Sequence, residues 1–305
     1  MLGYFGPEGT FTHQALLTLN IAEEAKPYAS VGATLDAVRN GEVRAGLVPI
    51  ENSVEGGVSA TIDNLAAGEP VWIIAEVLLP VRFGLYVRPG HALADVRRVI
   101  THPHAAAQVR DWLAVHVPDA VVTTQGSTAG AAAEVSKVDS PFDAAVCATV
   151  AGELYGLVPV ASDIADNPDA VTRFILVARP GTPAQPSGYD KTSVMLHLNE
   201  DHPGALMEIL EQFTLRGVNL CRIESRPEKD KMGNYYFSID AEGHVRDPRM
   251  QEALKGLHRT CREVTFLGSY PRADKVKPGI RPGTSDADFA SAEGWLSTIM
   301  GDSQE

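Results

Sequence analysis

The chain has 305 residues, 44% of them apolar and 21% charged, a composition ordinary for a soluble globular protein and sufficient for about two domains. A formal net charge of −13 argues against nucleic acid or an anionic membrane surface as partner, and no apolar run has the length of a bilayer span. Cys147, Cys221 and Cys261 are sparse, odd in number and without metal-ligand spacing, which fits packed thiols in a reducing cytoplasm; the N-terminus has no signal-peptide pattern.

In chain order, residues 2–5 form a short apolar strand, and a Gly-rich turn leads into a helix over 12–19. A helix over 33–40 stops at Gly41, a buried strand spans 44–50, and a helix over 58–67 ends at Gly68. Residues 72–79 and 83–87 are strands, rich in β-branched and aromatic side chains. Pro103 opens one helix to 117, with Val109, Trp112, Leu113 and His116 on one face. A strand at 120–124, helix at 128–137, strand at 144–147, helix at 150–155 and strand at 173–178 complete the alternation. Such alternation predicts an α/β fold with largely parallel sheets and a site in the loops at strand carboxyl ends.

Prolines, glycines and small polar residues mark 181–190 as a linker. Beyond it come a strand (192–198), a helix from Pro203 and Gly204 to 213, strands 218–225 and 235–241, a helix (248–258) and a strand (263–267). That βαββαβ order predicts a ferredoxin-like domain over 191–270. Residues 271–305 read as a flexible tail with a short helix near Trp295.

Polar and glycine-rich motifs sit at the element ends. Gly6-Pro7-Glu8-Gly9-Thr10-Phe11 gives a close backbone approach and a helix start, with Thr10 a carboxylate contact or a cap. Pro49-Ile50-Glu51-Asn52-Ser53 ends a buried strand, where a neutral amide and hydroxyl suit recognition and Glu51 could act as a base. In Thr101-His102-Pro103-His104 the paired histidines have no matching ligand pair elsewhere, so no metal is expected, and Pro103 starts the helix carrying Gln108. Ser127-Thr128 precedes another helix as cap or site. Arg173, in Thr172-Arg173-Phe174, leads an apolar strand and calls for an anionic partner, either a ligand or a carboxylate such as Asp163 or Asp166.

Together and in this order the motifs resemble the prephenate dehydratase family over residues 1 to about 270. The resemblance implies a two-lobed, periplasmic-binding-protein-like catalytic domain over 1–180, with lobe one at 1–80 and 158–180, lobe two at 81–157 and the site in the cleft. With the first motif beginning near residue 1, the upstream chorismate mutase domain found in some members is not expected. The implied activity is cofactor-free conversion of prephenate to phenylpyruvate, with loss of CO2 and water.

On the family pattern Thr172 is the essential hydroxyl at the leaving group, with Glu51 an open alternative as proton source. Asn52 and Gln108 orient substrate, and Arg173, Thr10 and Ser53 take carboxylates. Thr101, Ser127, Thr128 and Phe174 complete the substrate contacts. The family usually has Asn at position 170, where this chain has Ala, so that amide's contribution is either absent or replaced, with nearby Asn167 the candidate. Gly204-Ala205-Leu206, Asn219 and Glu224-Ser225-Arg226-Pro227 resemble the phenylalanine-binding positions of ACT domains. They imply feedback by L-phenylalanine and a homodimer or homotetramer. Arogenate dehydratase, or a non-catalytic amino-acid-sensing solute-binding protein, are the alternative readings.

Overall fold

The computed structural model describes residues 1–199, 202–228 and 235–301. The chain forms two compact units, Met1–Thr61 with Val77–Ile175, and Ile62–Glu76 with the chain from Leu176 onward.

The N-terminal elements run β1 (Leu2–Phe5), α1 (Phe11–Thr18), β2 (Ala25–Tyr28), α2 (Val31–Arg39), β3 (Ala45–Asn52), β4 (Gly56–Gly57), α3 (Ser59–Ala66) and β5 (Trp72–Pro80). Next come β6 (Gly84–Val87), β7 (Arg98–Thr101), α4 (Pro103–Gln108), α5 (Arg110–His116), β8 (Val121–Thr124), α6 (Thr128–Val135), β9 (Ala144–Cys147), α7 (Thr149–Leu154), β10 (Val158–Ala161) and β11 (Val171–Ala178). They build two sheets, ordered β2-β1-β3-β11-β5, with β4 paired to β3, and β10-β6-β9-β7-β8. The late strand β11 thus enters the first sheet beside β3, bringing Thr172 to Asn52.

Alternation along the short strands decides which side chains face which layer. In the second sheet Leu85, Val87, Val99, Ala144 and Val146 join one core with Val109 and Leu113. Tyr86, Ile100, Ala145 and Cys147 face the other way, against Ala129, Ala132, Val135 and Ala151. Gly152 is required there, since a Cβ would lie 2.3 Å from the Tyr86 ring.

Four expectations change. The helix over 103–117 is two helices, broken at Val109 (φ −125°, ψ 12°), because the Asp166 carboxylate accepts from the Asp111 and Trp112 amides and starts a new helix. β10 pairs antiparallel with β6, and Ile164 and Ala170 belong to the second sheet's core, so the return to lobe one falls later than 158. β2 and β7 carry no strong strand signal: β2 is a largely exposed edge containing Pro27, and β7 is only four residues long. The remaining change lies in the tail.

The C-terminal elements are β12 (Asp190–His197), α8 (Ala205–Thr214), β13 (Leu220–Pro227), β14 (Tyr235–Glu242), α9 (Pro248–Thr260), β15 (Glu263–Pro271) and α10 (Asp286–Met300). The antiparallel sheet β13-β14-β12-β15 is the expected ferredoxin-like arrangement. Val194, Leu196 and Ile239 pack against Ile209 and Phe213 of α8 and Met250 and Leu257 of α9. On the strands' other face Ser193 donates to Asp240, which also accepts from Arg222, and Lys191 makes a buried pair with Glu76 at 3.1 Å. The expected tail is structured: Arg272 pairs with Glu242 and Asp274, and the Ala273 amide donates to Glu76. α10 is a 15-residue helix with Trp295 67% exposed, and residues 302–305 lie outside the described residues.

Candidate active site

A cavity of about 670 Å³ opens in the first unit. Its polar lining combines side chains, Asn52, Glu55, His102, His104, Gln108 and Thr172 among them, with the starts of helices. Three helices of eight residues, α1, α3 and α6, begin on it, through the cap Thr10, the first residue Ser59 and the cap Ser127. Helix starts carry N–H groups and positive dipole ends that favour an anion, although Thr10 and Ser127 each cap one such N–H and the Glu55 carboxylate in the same lining opposes it. Among the described residues no lysine or arginine lines it. Phe5, Phe11, Phe83 and Phe174 supply apolar walls, with Phe11 and Phe83 edge-to-face at 5.3 Å. A flat ring bearing carboxylates fits such walls and ends.

Asn52 and Thr172 meet on the cavity wall. The Asn52 Nδ2 donates to Thr172 Oγ1 at 2.8 Å, while Asn52 Oδ1 accepts from the Val54 and Glu55 amides at 2.9 and 3.1 Å. Those two backbone donors settle which end of the amide carries oxygen. Thr172 therefore uses its oxygen as acceptor towards Asn52 and keeps its own proton for another partner.

Gln108, Thr10, Ser127, Thr128 and Phe174 also line the cavity, whereas Ser53, Thr101 and Arg173 do not. Ser53 clasps β11 instead: its amide donates to the Val171 carbonyl and its Oγ accepts from the Val171 amide, each at 2.9 Å, seating the residue before Thr172. Thr101 is fully buried and donates to the Val146 carbonyl, tying β7 to β9. Thr172 and Phe174 share one face of β11, so Arg173 points the other way, 5% exposed. Its Nη1 lies 3.7 Å from Glu51, not beside Asp163 or Asp166. Glu51 lies outside the lining too. Asn167 is exposed and accepts from the Asp169 amide, so it does not replace the amide missing at Ala170.

Sequence reasoning missed Glu55, and gave His104 no site role after setting aside a metal. Both line the cavity with His102. Burial first, then neighbouring His104, hold His102 below the usual histidine range, against a weaker pull from Glu55. No cluster of three or more metal-ligating side chains occurs among the described residues. The i, i+4 spacing of His104 and Gln108 on a helix was the available signal that they act together.

In the second unit a cavity of about 150 Å³ is lined by Ala205 with Leu198, Asn199, His202, Glu208, Ile209 and Thr260. Gly204 caps α8 with φ +97°, and Leu206 is 39% exposed. The second motif lies on the edge strand β13 and does not line this cavity. There Glu224 meets Arg222, Ser225 and Pro227 register with Phe237 and Tyr235, and Arg226 binds Asp63 at 3.1 and 3.3 Å. The Asn219 carbonyl accepts from Glu242.

Residues 2–182 match the family model described as prephenate dehydratase, and residues 192–259 that of the ACT domain. A prephenate dehydratase of Amycolatopsis methanolica is 46% identical over 301 residues, 98% of this chain and 97% of that protein. The structure of a prephenate dehydratase from Arthrobacter aurescens, in complex with L-Phe, superposes with a TM-score of 0.93 at 50% identity, covering 98% of this chain and 99% of that one. A protein described as a novel type of quorum quenching acylase, GqqA, is similar at 30% identity and TM-score 0.80, over 88% of this chain and 97% of that one.

Proposed function

The chain belongs to the prephenate dehydratase family, and we propose that its cavity converts prephenate to phenylpyruvate. The observation that carries this reading is the Asn52–Thr172 pair on an aromatic-walled cavity fed by three helix starts. The helix starts hold the two carboxylates, and the phenylalanines flank the ring. As the ring C–CO2 bond breaks, its electrons enter the ring and expel the hydroxyl on the opposite carbon. Aromatisation drives the step. The Thr172 hydroxyl donates a hydrogen bond to the departing oxygen, which leaves as water on taking a proton from solvent. Thr172, Asn52 and Gln108 are the catalytic residues of this reading, while Arg173 and Ser53 set the strands that carry them.

Residues 1–180 are the catalytic domain and 191–270 an ACT domain that binds L-phenylalanine and feeds back on the reaction. The ACT match and the L-Phe complex of the Arthrobacter relative support this reading. β13 has a strand partner on one side only among the described residues. Pairing of that edge with a second copy makes a homodimer, or a dimer of dimers, and carries the second motif into an interface. No helix among the described residues is long and apolar enough to cross a membrane.

The test is phenylpyruvate formation from prephenate, then from arogenate, by purified protein with EDTA present. Turnover of prephenate is expected; turnover of neither overturns the reading in favour of a sensor, and preference for arogenate reassigns the substrate. Calorimetry should show L-phenylalanine binding to the intact protein, and its absence removes the feedback claim.

A further inference from the structure

Glu55 sits on the turn between β3 and β4, and its carboxylate is shared by two side chains of α4. Oε1 accepts from Gln108 Nε2 at 3.0 Å, and Oε2 meets His104 Nδ1. His104 and Gln108 are four residues apart on α4, so one face of that helix presents both. The hairpin extends the first sheet and α4 packs on the second, so this carboxylate joins them across the cavity. The Glu55 amide is bonded to Asn52 Oδ1, and Asn52 Nδ2 to Thr172. One continuous path therefore runs from Thr172 through Asn52 and Glu55 to Gln108.

The carboxylate also decides which way the Gln108 amide faces. An acceptor-only group requires Nε2 towards it and sends Oε1 away. Gln108 Oε1 is buried with no hydrogen-bond partner among the described residues. Folded proteins rarely leave such an oxygen unpaired, so the hold of Glu55 on Nε2 is what keeps the amide in this orientation.

We propose that Glu55 is a positioning residue, which holds the Gln108 amide in its reactive orientation and takes no proton itself. The proposal rests on the dehydratase reading of the cavity. Its test is a cycle of Glu55→Ala, Gln108→Ala and the double variant, with Glu55→Gln beside them. Each single alanine should lower kcat/KM about tenfold, the scale of one lost hydrogen bond to a charged group, and the double should be no worse than the poorer single. Glu55→Gln keeps a carbonyl acceptor for Nε2 and should recover most of the activity. Multiplying losses in the double variant, or a Glu55→Gln as poor as Glu55→Ala, overturn the proposal, because either makes the charge act independently of Gln108. A second readout does not need substrate: the side-chain amide NMR signals of Gln108, assigned by their loss in Gln108→Ala, should move in Glu55→Ala. Unmoved signals overturn the proposal, whereas a wild type inactive on prephenate, with moved signals, overturns only the dehydratase reading.

Discussion

Asn52 donates to Thr172 across neighbouring strands at 2.8 Å, so the threonine oxygen is occupied and its proton is free. The direction of this bond follows from the two backbone amides that hold Asn52 Oδ1.

Asn52→Asp tests that direction. An aspartate has the same shape but only accepts, so it draws the Thr172 proton away from the cavity. The expected fall in kcat is about a hundredfold, as for loss of one donor to a developing anion, and comparable to that of Thr172→Val. Thr172→Ser should retain part of the activity. Steady-state kinetics showing near-normal kcat in Asn52→Asp would remove the donor role from Thr172.

Arg173→Met should act on stability rather than on KM, since the guanidinium is buried beside Glu51 and off the cavity. The cost should be at least about 2 kcal/mol, because removing a 6% exposed guanidinium leaves its partners uncompensated. Urea unfolding reads it as a lower midpoint at constant slope. A raised KM at unchanged stability would return Arg173 to substrate binding.

Gly204→Ala meets no atom within 4 Å of the new Cβ, yet φ +97° strains any L side chain. A loss of about 1 kcal/mol is expected from backbone alone. Gly204→Asn should cost less, because asparagine tolerates the left-handed region. Gly204→Val should abolish L-phenylalanine inhibition and spare basal turnover. Calorimetry showing undiminished binding in the valine variant would move the effector elsewhere.

Truncation after Tyr270 should destabilise the C-terminal unit, because it removes Arg272 and the amide that bonds buried Glu76. A melting-temperature scan showing no change would make these contacts incidental. The Arg272 guanidinium holds the Asp274 carboxyl down at about 2, against an ordinary 3.8. With the folded value below the unfolded one, this stabilisation is full above about pH 4 and is lost as pH falls towards about 2. Asp274→Asn should therefore flatten the acid limb of the stability curve over that window. An unchanged limb would show that Asp274 does not contribute to it.

Local pattern carried a large part of this protein in its sequence. The βαββαβ run is legible because strand alternation, the Pro-Gly entry to α8 and Pro248 at the start of α9 are each properties of neighbouring residues. The motifs around Asn52, Gln108 and Thr172 were legible by resemblance, in residues that line the cavity. Tertiary structure alone decided the partners. Arg173 faces Glu51 because β11 spends its cavity face on Thr172 and Phe174, an alternation whose phase depends on a sheet order no local pattern encodes. Glu55 meets His104 and Gln108 only because the hairpin and α4, some fifty residues apart in the chain, are brought to one cavity. A helix start with its N–H groups was legible at Thr10, but that three such starts line one cavity was decided by tertiary structure, because sequence shows where a helix begins and not where that beginning lies in the fold.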